Sequence, residues 1–115
     1  MKKTFKKNER LCSIKVIDSL FDRKNSANEG AFAYPIRVVG KPSDEGITQV
    51  LFSVPKRQFK HAVDRNQIRR RMKEAYRLNK ELLTKPYYIS FIYVGKVIEN
   101  YAQIEKGMKN CLKKL

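Results

Sequence analysis

Hydrophobic positions recur at helical spacing in three stretches of the chain. Residues 9–21 carry apolar side chains at three- and four-residue steps: Leu11, Ile14, Ile17, Leu20 and Phe21. A second stripe, within a helix that ends near residue 83, consists of Ile68, Met72, Ala75, Leu82 and Leu83. A third, in about residues 100–115, consists of Ile104, Met108, Cys111, Leu112 and Leu115. This period predicts three amphipathic helices that each bury one face.

Strand patterns occupy much of the remaining chain. Residues 31–39 alternate, which predicts a strand with these side chains on one face: Phe32, Tyr34, Ile36 and Val38. Pro35 places that strand at an edge or a bulge. Residues 49–54 form a second, short strand, and the uninterrupted apolar run at 87–94 is typical of a central strand. Turn-forming residues at 25–30 and 40–46 predict loops. The order α-β-β(-β)-α-β-α predicts a two-layer α+β sandwich.

The 115 residues fit one domain, 1–115, whose first residues, 1–8, we expect to be flexible.

The charge of the chain narrows the class of partner that it binds. There are 26 Lys+Arg against 11 Asp+Glu, a formal net charge of +15. Such an imbalance weakens the compact state unless a polyanion neutralises it. Nucleic acid and an anionic membrane surface are the candidates, and the charge favours nucleic acid. No stretch approaches the ~18 consecutive apolar residues of a membrane span.

The two cysteines and the N-terminus indicate where the protein works. Cys12 and Cys111 occupy apolar positions of predicted helices, which favours buried free thiols. The basic residues 1–7 are not followed by the apolar core of a signal peptide. We therefore expect a cytoplasmic protein.

One helix concentrates the positive charge. Arg65, Arg69, Lys73 and Arg77 are four residues apart and form one row, with Arg70 beside it. Like charges at this spacing destabilise an isolated helix, and arginines in a first turn oppose the helix dipole. A solvated face usually mixes both signs, but only one acid, Glu74, lies between residues 65 and 80. The row therefore predicts an anion-binding face, and arginine suits bidentate phosphate contact.

The sequence offers little for catalysis by side chains. The only histidine, His61, has no carboxylate or cysteine partner nearby in sequence, and the acids show no metal-ligand spacing. We therefore predict no catalytic residue and no metal site in this chain. Asp64 and Gln67 have the form of a capping box, which predicts the start of the basic helix at Asp64.

Residues 53–80 resemble the signature of the protein subunit of bacterial ribonuclease P. That family has a Lys-Lys pair after a strand, and then Arg-Asn-Arg, Ile or Val, and Lys-Arg on a helix. Lys56-Arg57 take the place of the pair, and Arg-Asn-Gln-Ile-Arg-Arg at 65–70 takes the place of the rest. Gln67 stands where the family usually has a second arginine, so we expect it to cap the helix instead of binding phosphate. Outside the motif the order of elements matches over nearly the whole chain.

The resemblance implies a holoenzyme in which a catalytic RNA, which requires Mg²⁺, removes the 5′ leader of precursor tRNA endonucleolytically to give the mature tRNA 5′ end. The protein would bind that RNA through Arg65, Asn66, Arg69, Arg70, Lys73 and Arg77. It would hold the leader in a cleft between the first helix and the sheet, through Lys56, Arg57, Phe21, Ile17 and Tyr34. Ile17 replaces a usual phenylalanine there, so base stacking at that position is lost. The resemblance implies no obligate protein partner, and a left-handed crossover through the basic helix against the usual right-handed rule.

Two questions stay open at the level of sequence. Phe32 and Tyr34 could be core residues or RNA-stacking platforms, whereas Tyr87 and Tyr93 fit the core better. A structural RNA-packing protein, such as a ribosomal one, would explain the charge but not the order of motifs. A protein nuclease with its own metal site would need clustered acids or histidines.

Overall fold

The computed structural model describes residue 11 and residues 29–43, 46–83 and 85–114. The elements in order are β1 (Glu29–Ala33), β2 (Ile36–Pro42), β3 (Gln49–Ser53), α1 (Ala62–Asn79), a 3-10 turn (Lys80–Leu82), β4 (Tyr87–Tyr93) and α2 (Tyr101–Lys114). The predicted α+β fold and its order of strands and helices are confirmed for this part of the chain. The predicted first helix lies outside the described residues except for Leu11, and so do Cys12, Ile17, Phe21 and residues 1–8.

The strands form one sheet in the order β1-β2-β4-β3. β1 pairs with β2 and β2 pairs with β4, both antiparallel, while β3 and β4 are parallel. Parallel neighbours need a crossover connection, which α1 provides. The hand of that crossover stays a prediction from the resemblance. The apolar run that predicted a central strand forms β4, which has a neighbour on both sides.

The strand predicted for residues 31–39 is two strands joined by a turn at Tyr34 and Pro35. Ala33 pairs with Ile36 and Phe32 pairs with Arg37 across the hairpin. Ile36 is therefore buried with the core, whereas 55% of the Phe32 surface is exposed. The prediction that Phe32 and Tyr34 share a face with Ile36 and Val38 is wrong, because the turn interrupts the alternation on which it depended.

β2 also runs further than the sequence predicted. Gly40, Lys41 and Pro42, expected in a loop, pair with residues 87–89 of β4. Pro42 is tolerated because it is the last residue of its strand, where a missing N–H costs little. The loop prediction is therefore wrong for residues 40–42.

The main core lies between the sheet and the two helices. Its fully buried members come from both layers and include Ile36, Val38, Ile89, Phe91, Ile68, Met72, Ile104 and Met108. Tyr76 of α1 is also buried, with its ring centroid 5.8 Å from that of Phe91 and 6.0 Å from that of Phe52. On the opposite face of the sheet, Leu11 packs with Tyr88, and the Leu11 N–H donates to the Val50 carbonyl at 3.0 Å.

α1 begins earlier than the capping box predicted. The helix starts at Ala62, and the carbonyl of His61 accepts the N–H groups of Asp64 and Arg65. Asp64 is therefore a first-turn residue, where its charge complements the helix dipole. Gln67 lies in the helix interior and is exposed, so its predicted capping role is wrong.

The C-terminal end of α1 departs from its predicted stripe at one position. After Asn79 the chain tightens into a 3-10 turn, which changes the angular spacing of the side chains. Leu82 is consequently 38% exposed, whereas Leu83 packs against the core as predicted. Tyr76, which the predicted stripe does not include, is also buried.

α2 closes the helix layer against the β1–β2 turn. The Asn100 side chain caps the helix by accepting the Gln103 N–H at 2.9 Å. A Cβ atom at Gly107 would lie 2.9 Å from the carbonyl oxygens of Ala33 and Tyr34, so the helix and turn are in close contact. Within the described ranges, no helix is long and apolar enough to cross a membrane.

The predicted free thiol of Cys111 is confirmed. Cys111 is a free, fully buried cysteine on the core side of α2. Burial raises its pKa to about 11, so the thiol stays protonated at neutral pH. Leu115, the last residue of the predicted stripe, lies outside the described residues.

Candidate nucleic-acid interface

α1 carries all six residues predicted to bind the catalytic RNA. They are Arg65, Asn66, Arg69, Arg70, Lys73 and Arg77. Ile68 and Met72 of the same helix are buried in the core, which fixes how the helix is rotated against the sheet. At about 100° per residue, Arg70 then points away from the core. Asn66 and Arg70 are exposed, and the other four are half-buried.

The row of cations is not straight along the helix. Each four-residue step advances by about 40°, so three steps carry the row through about 120°. Arg65 precedes the buried Tyr76 by three full turns and lies on the same side of α1. Arg77, at the other end of the row, lies on the outer side. The four cations therefore have different surroundings although their sequence spacing is uniform.

Two of the residues predicted to contact RNA, Arg69 and Arg77, form hydrogen bonds with neighbouring side chains on the helix. The Arg69 guanidinium donates to the Asn66 side-chain oxygen at 2.9 Å, which aligns the two side chains. Arg77 forms an ion pair with Glu74, and its Nε donates to Glu74 Oε2 at 3.1 Å. The hydrogen bond from Arg77 holds the pKa of Glu74 below its usual range, so this carboxylate stays charged. Glu74 offsets the charge of Arg77, and the strongest net positive charge lies at positions 69–73.

Arg65 faces the segment that leads into the helix. One of its terminal nitrogens, Nη1, donates to the Phe59 carbonyl at 2.8 Å and to the Lys60 carbonyl at 2.9 Å. Both oxygens belong to the loop between β3 and α1. The structure therefore separates Arg65 from the exposed part of the row.

Lys56 and Arg57 lie in a turn directly after β3, and both are exposed. The turn is anchored by Phe59, which is 7% exposed and whose ring centroid lies 5.7 Å from that of Tyr93. Gln58 donates to the Lys96 carbonyl at 3.2 Å and ties the turn to the loop after β4. An open cleft of about 570 Å³ lies here, lined by Pro55, Lys56, Arg57, Gln58, Tyr93, Val94 and Gly95.

Tyr34 lies at the same end of the sheet as this cleft. Its side chain is 51% exposed, and its hydroxyl donates to a carboxylate oxygen of Glu99 at 3.3 Å. The neighbouring Pro35 carbonyl accepts the N–H of Val94, a cleft residue, at 2.8 Å. Three of the five predicted leader contacts, Lys56, Arg57 and Tyr34, thus lie around one end of the sheet. The other two, Ile17 and Phe21, fall outside the described residues.

Tyr87 and Tyr93 are buried, which confirms that they are core residues. The Tyr93 hydroxyl donates to the Val97 carbonyl and accepts the Glu99 N–H at 2.9 Å. Burial raises the pKa of Tyr93. A Cβ atom at Gly95 would lie 2.9 Å from the Tyr93 ring, so this position needs glycine. Tyr93 shapes the loop on one side of the cleft.

Sequence reasoning missed Arg71 and Arg37 in this region, and it left Phe32 undecided between a core residue and an RNA-stacking platform. Arg71 donates to the Glu99 carbonyl at 2.7 Å and joins α1 to the loop before α2. Its position three residues after the buried Ile68 was a usable signal. Phe32 and Arg37 are exposed cross-strand neighbours on the sheet face opposite the helices. No sequence signal distinguished Phe32 from a core residue.

No metal-ligand cluster is found in the described part of the chain, where no three His, Cys, Asp or Glu side chains come together. His61 is exposed at the position before α1. Its carbonyl accepts the first N–H groups of the helix, which is a structural role.

Comparison with known proteins places this geometry in a family. The family model for ribonuclease P matches residues 5–115. A ribonuclease P protein component from Porphyromonas gingivalis is 33% identical over 116 aligned positions, which cover 92% of this chain and 82% of the relative. One from Chlorobaculum tepidum is 42% identical over 60 positions, covering 50% of this chain and 39% of the relative.

Solved structures show the same fold at lower identity. The RNase P protein from Thermotoga maritima superposes with a TM-score of 0.78 at 19% identity, covering 93% of this chain and 97% of that one. The Staphylococcus aureus RNase P protein gives a TM-score of 0.74 at 18% identity, covering 91% and 93%. The match of the family model over almost the entire sequence, together with the P. gingivalis relative, shows that this chain belongs to the ribonuclease P protein family.

Proposed function

We propose that this chain binds the catalytic RNA of ribonuclease P through the exposed side of α1, and the 5′ leader of precursor tRNA at the cleft beside Lys56 and Arg57. As a member of its family it is a subunit of an endoribonuclease holoenzyme for tRNA 5′ maturation. The observation that carries the proposal is the cluster of Asn66, Arg69, Arg70 and Lys73 on α1, in which Asn66 and Arg70 are exposed and Arg69 and Lys73 are half-buried. Because its proposed partners are the catalytic RNA and precursor tRNA, we propose that the protein works in the cytoplasm.

The α1 cluster has the properties of a phosphate-binding surface. Arg70 points away from the core, and Arg69 is held in place by its bond to Asn66. Arginine presents paired N–H donors that match phosphate oxygens. Arg77 is paired with Glu74, which offsets its charge, so we rank it below Arg69 and Arg70.

The cleft and the exposed aromatic residues near it supply what a single-stranded leader needs. Backbone phosphates require cations, which Lys56 and Arg57 provide, and bases require flat apolar surfaces. Tyr34 and Phe32 each expose about half of their surface at or near this end of the sheet. We assign Ile17 and Phe21 to the same site from the family resemblance. In this proposal Mg²⁺ belongs to the RNA and supplies the chemistry, while the chain binds and orients the two RNAs.

Replacing Arg69 or Arg70 by alanine is expected to weaken binding to the catalytic RNA at low salt. The plot of log affinity against log salt concentration should also become less steep by about 0.7–0.9, the counterion release for one lost phosphate contact. Lys73→Ala should behave in the same way. The measurement is a binding titration of each variant at four or more salt concentrations.

The matched control is Lys109→Ala, which removes one charge from the exposed side of α2. Its slope should equal that of the unmodified protein. If Arg69→Ala, Arg70→Ala and Lys73→Ala all kept the original slope, α1 would not be the phosphate-binding surface. A slope reduced equally by Lys109→Ala would indicate an effect of net charge alone.

A further inference from the structure

We infer that Arg65 is a positioning residue, which holds the turn of Lys56 and Arg57 against α1 and thereby supports leader binding, instead of contacting the catalytic RNA. The inference rests on the leader site of the proposed function. It gives Arg65 a different role from Arg69, Arg70 and Lys73, although all four stand in the same four-residue repeat.

The geometry of Arg65 carries this assignment. A single terminal nitrogen donates to two consecutive carbonyls, those of Phe59 and Lys60, at 2.8 and 2.9 Å. Hydrogen bonds from a charged donor are stronger than neutral ones, and the Phe59 carbonyl is partly buried. A phosphate that drew the guanidinium away would leave these two oxygens without that donor. The same cost does not arise at Arg70, which is exposed.

The turn is held from two other directions. Phe59 is buried against Tyr93 of β4, and its N–H donates to the Pro55 carbonyl at 3.1 Å. Gln58 is bonded to the Lys96 carbonyl. Arg65 adds the tie to α1, so the segment that carries Lys56 and Arg57 is packed against β4 through Phe59 and is hydrogen-bonded to the loop after β4 and to the basic helix.

A fixed turn matters because Lys and Arg side chains lose conformational freedom when they bind. If the backbone beneath them is already ordered, less free energy is lost at that step. Freeing the turn from α1 should therefore weaken contacts made by Lys56 and Arg57 without removing a charge from the exposed side of α1. If Arg65 holds the turn, replacing it should weaken leader binding. If Arg65 contacts a phosphate, replacing it should weaken binding to the catalytic RNA.

The first test uses the free protein and does not depend on any RNA. In Arg65→Gln, hydrogen exchange of the Phe59 amide, which donates to the Pro55 carbonyl, should accelerate by about tenfold or more, since each charge-assisted hydrogen bond is worth about a factor of ten. Exchange in β4 should stay unchanged, which shows that the variant is folded. Arg69→Gln should leave the Phe59 amide as slow as in the unmodified protein. Equal exchange rates in Arg65→Gln, Arg69→Gln and the unmodified protein would show that Arg65 does not hold the turn, and would overturn the inference.

The second test measures RNA binding. In Arg65→Gln, the plot of log affinity for the catalytic RNA against log salt concentration should keep its slope. The factor by which a 5′ leader strengthens binding of precursor tRNA to the holoenzyme should fall about three- to tenfold. Arg69→Gln should reduce the slope and leave the effect of the leader unchanged, and Lys109→Gln should change neither quantity. A reduced slope for Arg65→Gln with full leader dependence would make Arg65 a phosphate contact. If the leader did not strengthen binding of precursor tRNA even with the unmodified protein, both the proposed leader site and the role of Arg65 would be contradicted.

A third measurement covers the case in which Arg65→Gln does not fold. In the unmodified protein, inorganic pyrophosphate should shift the guanidinium NMR signals of Arg69 and Arg70 and leave that of Arg65 in place. A shift at Arg65 as large as at Arg70 would show that the bonds to Phe59 and Lys60 yield readily to phosphate, and would overturn the inference.

Discussion

Addition of the protein to the catalytic RNA is expected to raise cleavage of precursor tRNA by about tenfold or more at low magnesium, because its cations replace metal ions between closely packed RNA phosphates. The purified protein alone should not cleave at any magnesium concentration. One histidine and scattered acids do not provide the paired acid and base, or the ligand set, that a protein nuclease needs. High magnesium should reduce the advantage of adding the protein.

The measurement is the single-turnover cleavage rate across a magnesium series, with RNA alone, protein alone and both together. A double variant, Arg69→Ala with Arg70→Ala, should move the curve of the mixture towards that of RNA alone. Cleavage by protein alone that survives repurification would contradict the division between a catalytic RNA and a binding protein. Equal rates with and without protein at low magnesium would contradict its role in the holoenzyme.

A second large effect concerns folding stability in the presence of multivalent anions. A domain with a net charge of +15 and arginines crowded on one helix should be weakly stable at low ionic strength. Anions that bind only the folded arrangement stabilise it by mass action, by about 2.7 kcal/mol at 100 times the dissociation constant. For a domain of this size that corresponds to a rise in Tm of roughly 10 °C.

Millimolar pyrophosphate or sulfate should therefore raise Tm far more than sodium chloride at the same ionic strength. Thermal unfolding followed by circular dichroism provides the measurement. The double variant of Arg69 and Arg70 should lose more of the pyrophosphate effect than Lys109→Ala does. Equal stabilisation by pyrophosphate and chloride would mean that screening, and not a preorganised site, explains the effect.

The fold could be predicted from sequence where burial followed a regular period. The α1 stripe of Ile68, Met72 and Ala75 and the described part of the α2 stripe both face the core, because a 3.6-residue period leaves few other ways to bury them. The central position of β4 followed from an apolar run with no polar face to expose. Each of these features depends on local spacing alone.

The errors arose where one local feature interrupted a period. The turn at Tyr34 and Pro35 reverses the chain after Phe32, and a 3-10 turn rotates Leu82 out of its stripe. The capping box failed because α1 starts two residues earlier than Asp64, where the carbonyl of His61 accepts the N–H groups of Asp64 and Arg65. Nothing in the spacing of Asp64 and Gln67 reports such contacts.

The candidate site was predictable as a helix face but not residue by residue. Four-residue spacing placed the cations on α1, yet the same spacing turns the row around the helix. Arg65 consequently meets two carbonyls and Arg77 meets Glu74, while Arg70 stays exposed. These differences depend on the rotation of α1 against the sheet, which is fixed by packing in the core.

The measurement that tests the central claim most directly compares binding of precursor tRNA and mature tRNA to the catalytic RNA, with and without the protein, at fixed salt and magnesium. If the cleft beside Lys56 and Arg57 holds the leader, the protein should tighten binding of the precursor and leave binding of the mature tRNA, which has no leader, nearly unchanged. Shortening the leader to a single nucleotide should remove that difference. Equal tightening of precursor and mature tRNA by the protein would contradict leader recognition and leave only a structural role in the holoenzyme.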